Sequence, residues 1–440
     1  MLKIVCYCAV LASATSLWSQ VEPSATGSLG FALDDTRMMT PPPVSRDAYP
    51  VVVGVESHAN YFGAGLIFSA AYADNLIGVE STKPVSDETY SFLPTVSIDR
   101  RGPRQGESLN YSAGFNLYQN TSQLNGVSQN GSADYRFHIS PYAVVVVSDT
   151  FWQNSNLYNQ TNPFVAGGVS TGSNSLTIAP FANQISNFSS AGINYQYGKN
   201  AMIGGSGSYS FTHFSSGSQN LNLNDEDSSG AVGFYSRRLA PSQYVGVTYQ
   251  LEKSVTHPVD TYTLTHTVFG FYTHYFTKSI SFSILAGPEN YASWSPTVAK
   301  QGHWVPAIQG SVGWQTLRTN LTASFTHTVS GAPGLIGAFH ANMASLNGRL
   351  MFSRMWSIGA SADYSLLKSV EATPSAFAAG GHTITGGVDL EHVISERLSA
   401  AAGYQHLHET YAEIPAILAY PDSNRVYFSL NYGFHRPLGR

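Results

Sequence analysis

Residues 60–72 read NYFGAGLIFSAAY, with Phe62, Ala64, Leu66, Phe68, Ala70 and Tyr72 on alternate positions and Gly63, Gly65 and Ser69 between them. A period of two marks a strand with two different faces, because a helix would gather its apolar side chains every three or four residues. The spacing returns in Leu109, Tyr111, Ala113, Phe115 and Leu117, set against Asn110, Ser112, Gly114 and Asn116. It returns again in Leu321, Ala323 and Phe325, in Ile358, Ala360, Ala362, Tyr364 and Leu366, and in Leu398, Ala400, Ala402 and Tyr404. One face is apolar throughout; the other is small and polar.

The segments between these strands fall into two kinds. Tight ones are Ser140-Pro141, Gly198-Lys199-Asn200, Leu239 to Ser242, Thr277-Lys278-Ser279, Arg318-Thr319, Ser353 to Trp356 and Ser395-Glu396-Arg397. They alternate with longer polar stretches: Gln153 to Gln184, Ser215 to Ser228, Asn290 to His303, Gly331 to His340, Val370 to Gly381 and Glu413 to Asn424. Short turns at one end and long loops at the other describe an all-β, transmembrane, antiparallel up-and-down barrel. Strands of roughly 9 to 11 residues give about 16–18 of them. Tyr142 to Val147 and Val51 to His58 are the segments that leave the count open. Basic residues gather near the tight turns, among them Arg100, Arg101, Arg104, Lys199, Arg237, Arg238, Lys278, Arg318, Arg354 and Arg397, where they would meet lipid phosphates.

Composition supports the same reading. The 440 residues are 43% hydrophobic and 12% aromatic but only 11% charged, whereas a soluble domain solvates itself with about 25% charged residues. A barrel whose exterior meets lipid and whose interior is Ser, Thr, Asn, Gln and Gly hides strict alternation behind a mean hydropathy near zero. A net charge of −5 offers no basic footprint for nucleic acid.

The N-terminus carries an export signal: Lys3, an uncharged run from Ile4 to Trp18, then small residues. Residues 1–19 are therefore expected to be a signal peptide, cut between Ser16 and Gln20. Residues 20–59, with Pro41-Pro42-Pro43, are expected to form a flexible periplasmic arm, and residues 60–440 the barrel. Cys6 and Cys8, the only cysteines, lie within the signal, so a mature chain would have no thiol to mispair in an oxidising compartment.

The last strand places Val426, Phe428, Leu430, Tyr432 and Phe434 on one face and Tyr427, Ser429, Asn431 and Gly433 on the other. This resembles the closing strand of outer-membrane β-barrels, and the resemblance to porin-like barrels of a double-membraned bacterium extends over residues 60 to 434. It implies an assembly signal in those five residues, read by the barrel-assembly machinery, although His435 to Arg440 follow where such barrels usually end on the aromatic. It also implies outer-membrane lipid and lipopolysaccharide as surroundings; the Pro-rich arm reads first as a linker, with docking to a periplasmic partner as the alternative.

No catalytic constellation stands out: there is no G-x-S-x-G elbow, no H-E-x-x-H pair and no phosphate-cradling loop. Gly204-Gly205-Ser206-Gly207 reads as a Gly-rich strand. His406, His408 and Glu409 could be drawn as a metal cluster and Asp389 with Glu391 as an acid/base pair, but rim histidines and a wet wall are the better readings, so no catalytic residue, metal or cofactor is expected. Tyr195, Tyr197, Tyr209, Phe211, Tyr249, Tyr272, Tyr275, Tyr404 and Tyr432 are expected in outward aromatic girdles. If the apolar register faces lipid, the charges of the other register line the lumen: Asp134, Arg136, Glu252, Arg349, Asp363, Asp389 and Glu391. Their mixed signs suggest a passive, weakly selective pore for small hydrophilic solutes, with part of Gln153 to Gln184 folding into the lumen. The alternatives are a non-enzymatic surface or assembly barrel accessory to exopolysaccharide export, and a secreted soluble propeller-like binding protein.

Overall fold

The structure, a computed structural model, describes residues 60–76, 85–102, 104–154, 184–214, 223–258, 260–277, 279–296, 298–316, 318–331, 334–370, 380–411 and 421–438. The signal peptide, the arm, Val51 to His58 and most of Gln153 to Gln184 lie outside the described residues.

Eighteen strands make up the fold. They are β1 (Tyr61–Ala73), β2 (Asp87–Arg101), β3 (Gln105–Tyr118), β4 (Gly126–Ser140), β5 (Ala143–Asn154) and β6 (Gln184–Gln196). Next come β7 (Ala201–Phe214), β8 (Asp225–Ala240), β9 (Gln243–His257), β10 (Thr261–Tyr275), β11 (Ile280–Ser295) and β12 (Val298–Gln315). The last six are β13 (Thr319–Ser330), β14 (Phe339–Met351), β15 (Trp356–Ser369), β16 (Gly381–Ser395), β17 (Leu398–Tyr411) and β18 (Asp422–Pro437).

Each strand pairs antiparallel with the next, and β18 pairs with β1 from Tyr61↔Pro437 to Ala73↔Arg425, so the sheet closes on itself. All eighteen strands share this one ladder, which excludes the separate blades of a propeller. Eighteen is the upper value of the open count, and Ala143 to Val147 supplies the start of β5.

Alternation fixes the two faces. Phe92, Leu109, Phe115, Val147, Ile193, Val268, Ile308, Phe325, Leu346, Val388 and Phe428 are among the large apolar side chains left exposed, and the registers put all of them on one side of the wall. In a closed barrel that side is the exterior. Their strand neighbours, such as Ser91, Asn116, Ser128, Ser186, Thr267, Ser283 and Ser399, are buried on the interior. A belt of exposed apolar rings needs lipid against it, and a closed barrel is one of the two backbone arrangements that satisfies its own hydrogen bonds there. Val426, Phe428, Leu430, Tyr432 and Phe434 all take exterior positions, opposite Tyr72, Ala70, Phe68, Leu66 and Ala64 of β1.

Two sequence expectations need correction. Asn290 to His303 is not a long loop: β11 runs through it to Ser295 and β12 starts at Val298. Tyr275 is not in a girdle, since it turns inward and meets Tyr244 edge-on at 6.1 Å between ring centroids.

The exterior assignment gives a stability test. Leu346→Arg, on the lipid side of β14, should lower the stability of vesicle-refolded protein by about 2–4 kcal/mol, read from urea titrations. Asn347→Arg, one residue along and facing inward, should cost far less.

Candidate functional site: the barrel interior

The seven charges expected to line the lumen all occupy interior positions, and three of them form one network. Arg349 on β14 donates from Nη1 to Glu391 Oε2 at 2.6 Å and from Nη2 to Asp389 Oδ2 at 3.3 Å. Ser399 Oγ donates to the second oxygen of Glu391 at 3.2 Å, and Arg349 also reaches Ser357 Oγ at 3.1 Å. Position-two spacing puts Asp389 and Glu391 on one face of β16, and the β14–β15–β16 register brings Arg349 beside them. Both carboxylates are almost fully buried, and a shared guanidinium is the arrangement that makes such burial tolerable. The pair is thus engaged as the acceptor of a structural cation.

The other four are dispersed. Asp363 accepts from Thr385 Oγ1 at 3.3 Å on the same wall. Glu252 accepts from Ser228 Oγ at 3.3 Å on the β8–β9 wall. Asp134 and Arg136 lie on β4, opposite Ser108 and Gly106 of β3.

The registers also turn inward several charges that the sequence reading passed over. Asp87, Asp99, Glu226, Glu289 and Glu409 add carboxylates, and Arg238 and Arg425 add cations. Among the described residues the interior therefore presents ten carboxylates and four arginines, an acidic surplus rather than a balance. Glu226 was hidden in a segment read as loop, Ser215 to Ser228. Glu409 was grouped with His406 and His408, yet those histidines face outward to Asn424 (2.9 Å) and Asp422 (2.8 Å) while Glu409 faces inward to Thr383. The three do not converge.

The outer end of the interior is crossed by chain. Between β13 and β14, residues 334–338 turn into the barrel mouth, where Gly334 and Asn224 exchange backbone hydrogen bonds of 3.0 and 3.2 Å. Gly334 has φ +89°, and a Cβ there would press on Leu223 at 3.2 Å; glycine suits the position on both counts. Leu335 belongs to one buried apolar cluster with Ala73 of β1, Leu76, Tyr118 of β3, Phe339 and Ala341 of β14, Leu367 of β15, and Leu407 and Tyr411 of β17. Asn224 leads into β8, so this connection joins widely separated parts of the wall. At its base Gly331 lies against the Glu226 carboxylate and Ser254. The expectation placed an inward loop in Gln153 to Gln184, whose residues 155–183 lie outside the described residues. The signal that could have found residues 331–338 was their composition, GAPGLIGA, too apolar for a solvated loop.

These features define a closed 18-stranded β-barrel of the outer-membrane type, with a polar, acidic interior narrowed at its long-loop end. No protein-family model matches the sequence, and no curated protein matches it. Among solved structures, the chain is similar to the ferric citrate transporter FecA in its unliganded form, at 11% identity and a TM-score of 0.41, over 80% of this chain and 60% of that one. It is similar to the FrpB iron transporter of Neisseria meningitidis at 11% identity and a TM-score of 0.42, over 80% and 62%. It is also similar to OccK2 (OpdF) of Pseudomonas aeruginosa, solved in complex with glucuronate, at 9% identity and a TM-score of 0.42, over 85% and 98%. The chain thus spans about 60% of the length of the two iron transporters.

Removing Arg349 tests the interior network. Arg349→Met leaves Asp389 and Glu391 buried without their cation and should destabilise the barrel by about 3 kcal/mol, measured by urea unfolding in lipid vesicles. The triple change with Asp389→Asn and Glu391→Gln should recover most of that loss.

Proposed function

We propose that this protein is an outer-membrane channel through which small hydrophilic solutes diffuse passively, with a modest preference for cations over anions. The observation that carries the reading is the interior of the 18-stranded barrel, where among the described residues hydroxyls, amides and ten carboxylates outnumber four arginines. A barrel of this size encloses an aqueous channel wherever loops and side chains do not fill it, and a wall with surplus negative charge concentrates cations. Residues 334–338 form the constriction, and the Arg349, Asp389 and Glu391 network braces one wall.

Export by residues 1–19 and insertion through the terminal strand place the long loops outside and the tight turns in the periplasm. Lipopolysaccharide then contacts the outer rim, and the arm of residues 20–59 faces the periplasm. On this reading the interior supplies a charge bias for solute transport.

Planar-bilayer recording decides this. Purified, refolded protein should give discrete conductance steps, and in a KCl gradient the reversal potential should carry the sign of cation preference, shrinking at high salt as the wall is screened. A double Glu226→Gln, Glu252→Gln variant should move that potential toward zero. Replacing residues 331–338 with a short Gly-Ser connection should enlarge the steps. Folded protein that gives no steps, with or without those residues, would contradict the reading.

A further inference from the structure

The ladder around the barrel has short interruptions opposite Pro94 and Pro288, and one longer shortfall between β12 and β13. β12 pairs with β11 along its whole length up to Ser295↔Val298, but with β13 only from Gln315↔Asn320 to Ile308↔His327. β13 itself continues to Ser330, paired there with β14 as far as Ser330↔Phe339. Above Ile308, therefore, the free edge of β12 has no ladder partner in β13.

The side chains show where β13 and β14 go instead. Tyr291 of β11 faces the interior, whereas Val329 of β13 and His340 of β14 occupy exterior positions of their own strands. Yet Val329 packs in one buried cluster with Tyr291, Ala338, Val305 and Val370, and the His340 ring meets Tyr291 edge-on at 6.0 Å. An exterior side chain can touch a neighbour's interior side chain only if its hairpin tip has passed inside that neighbour. The tip of β13–β14 is thus tucked behind β11–β12, like overlapping tiles. The backbone N–H of Val329 is not used by β14 and finds the Glu289 carboxylate at 2.9 Å; the same carboxylate accepts from Thr267 Oγ1 at 3.1 Å.

Depth matters. Trp314 and Trp304 both face outward on β12, and ten residues of a strand tilted by about 40° rise roughly 25 Å, the height of an outer-membrane apolar band. Ile308 to Trp304 then lies within the outer two fifths of that band, on the reading of the previous subsection. Backbone unpaired at lipid depth is tolerated only where it is covered by protein or borders a cavity. Around the seam the side chains are of mixed character: Val305, Val329 and Ala338 are apolar, while His327 and Asn342, joined by a 2.8 Å hydrogen bond, are polar. On the inner wall beside it, Phe269, Phe271, Leu285 and Ala307 form an apolar patch in an otherwise hydroxyl-rich lining.

We infer that the β12–β13 seam is a lateral passage between the barrel interior and the outer leaflet for single-chain amphiphiles, molecules with one acyl or aryl tail and one polar head. The tail follows the apolar patch and slips between the overlapping hairpins, the head stays against His327, Asn342 and Tyr291, and Glu289 latches the flap by holding the N–H that the missing ladder leaves over.

A disulfide lock tests it. In full-length protein with Cys6 and Cys8 replaced by Ser, Val305→Cys with Val329→Cys would tie the overlap shut, and Val312→Cys with Ala323→Cys would tie the already paired part as a control. The probe is dodecanoic acid carrying a diazirine, photolysed with protein in phosphatidylcholine vesicles and mapped by mass spectrometry. Label is expected on Tyr291, Val305 or Ala338 of the reduced protein, lost on oxidation of the seam pair and kept on oxidation of the control pair. Glu289→Ala, which needs no disulfide, should raise seam labelling. Label confined to exterior residues such as Leu346 and Phe428, or seam labelling indifferent to both the lock and Glu289→Ala, would overturn the inference. Conductance recorded on the same samples keeps the two readings separate: a conducting barrel whose seam never labels refutes the passage alone.

Discussion

Everything in this molecule follows from the closure of one hydrogen-bonded ladder. A sheet facing lipid has no water to satisfy its edges, so β1 and β18 must find each other, and their register runs unbroken from Tyr61↔Pro437 to Ala73↔Arg425. Once that ring exists, the period of two in each strand sorts the chain without further instruction. Phe, Leu, Ile and Val go to the lipid; Ser, Thr, Asn and Glu go inside. Closure also makes the interior a confined polar space, where a carboxylate placed by alternation is buried and must be answered. Asp389 and Glu391 are answered by Arg349, Asp363 by a threonine hydroxyl, and Glu289 by Thr267 and a backbone amide. These four carboxylates are therefore separately neutralised or hydroxyl-solvated.

The sequence made the wall legible and the mouth much less so. Strands such as Leu109 to Leu117 and Ile358 to Leu366 declare themselves because they cross lipid, which forces strict alternation. Asn290 to His303 does not: beyond the apolar band both faces of β11 and β12 can be wet, so Asn, Lys, Gln and His enter freely and a strand looks like a loop. The missed interior carboxylates share that cause. Glu226 begins a strand inside a polar segment, and Glu409 was assigned to the histidines beside it in sequence when a one-residue step turns it to the opposite face. Long-range closure of the mouth by Leu335 depends on Tyr118, Leu367 and Tyr411, residues whose proximity no local pattern reveals.

The inward connection and the broken ladder are one event seen from two sides. Residues 331–338 span at most about 30 Å between their ends when extended, so out and back they reach roughly 15 Å from the wall. An 18-stranded barrel with strands about 4.8 Å apart and tilted near 40° is roughly 36 Å across, and the chord from the β13–β14 hairpin to the entry of β8 is about 30 Å. The connection cannot meet Asn224 from an upright wall. Either its own strands lean in or the opposite loop reaches out, and the contact of Val329 and His340 with the interior face of β11 shows that the strands lean. Leaning separates β13 from β12 above Ile308 while leaving β13 and β14 paired, because the hairpin moves as a unit. Glu289 then occupies the position where the displaced strand would otherwise bury an unpaired amide. A longer connection would have closed the mouth and kept the wall intact; this short one couples the constriction of the lumen to a seam in the barrel, so any motion that widens one acts on the other.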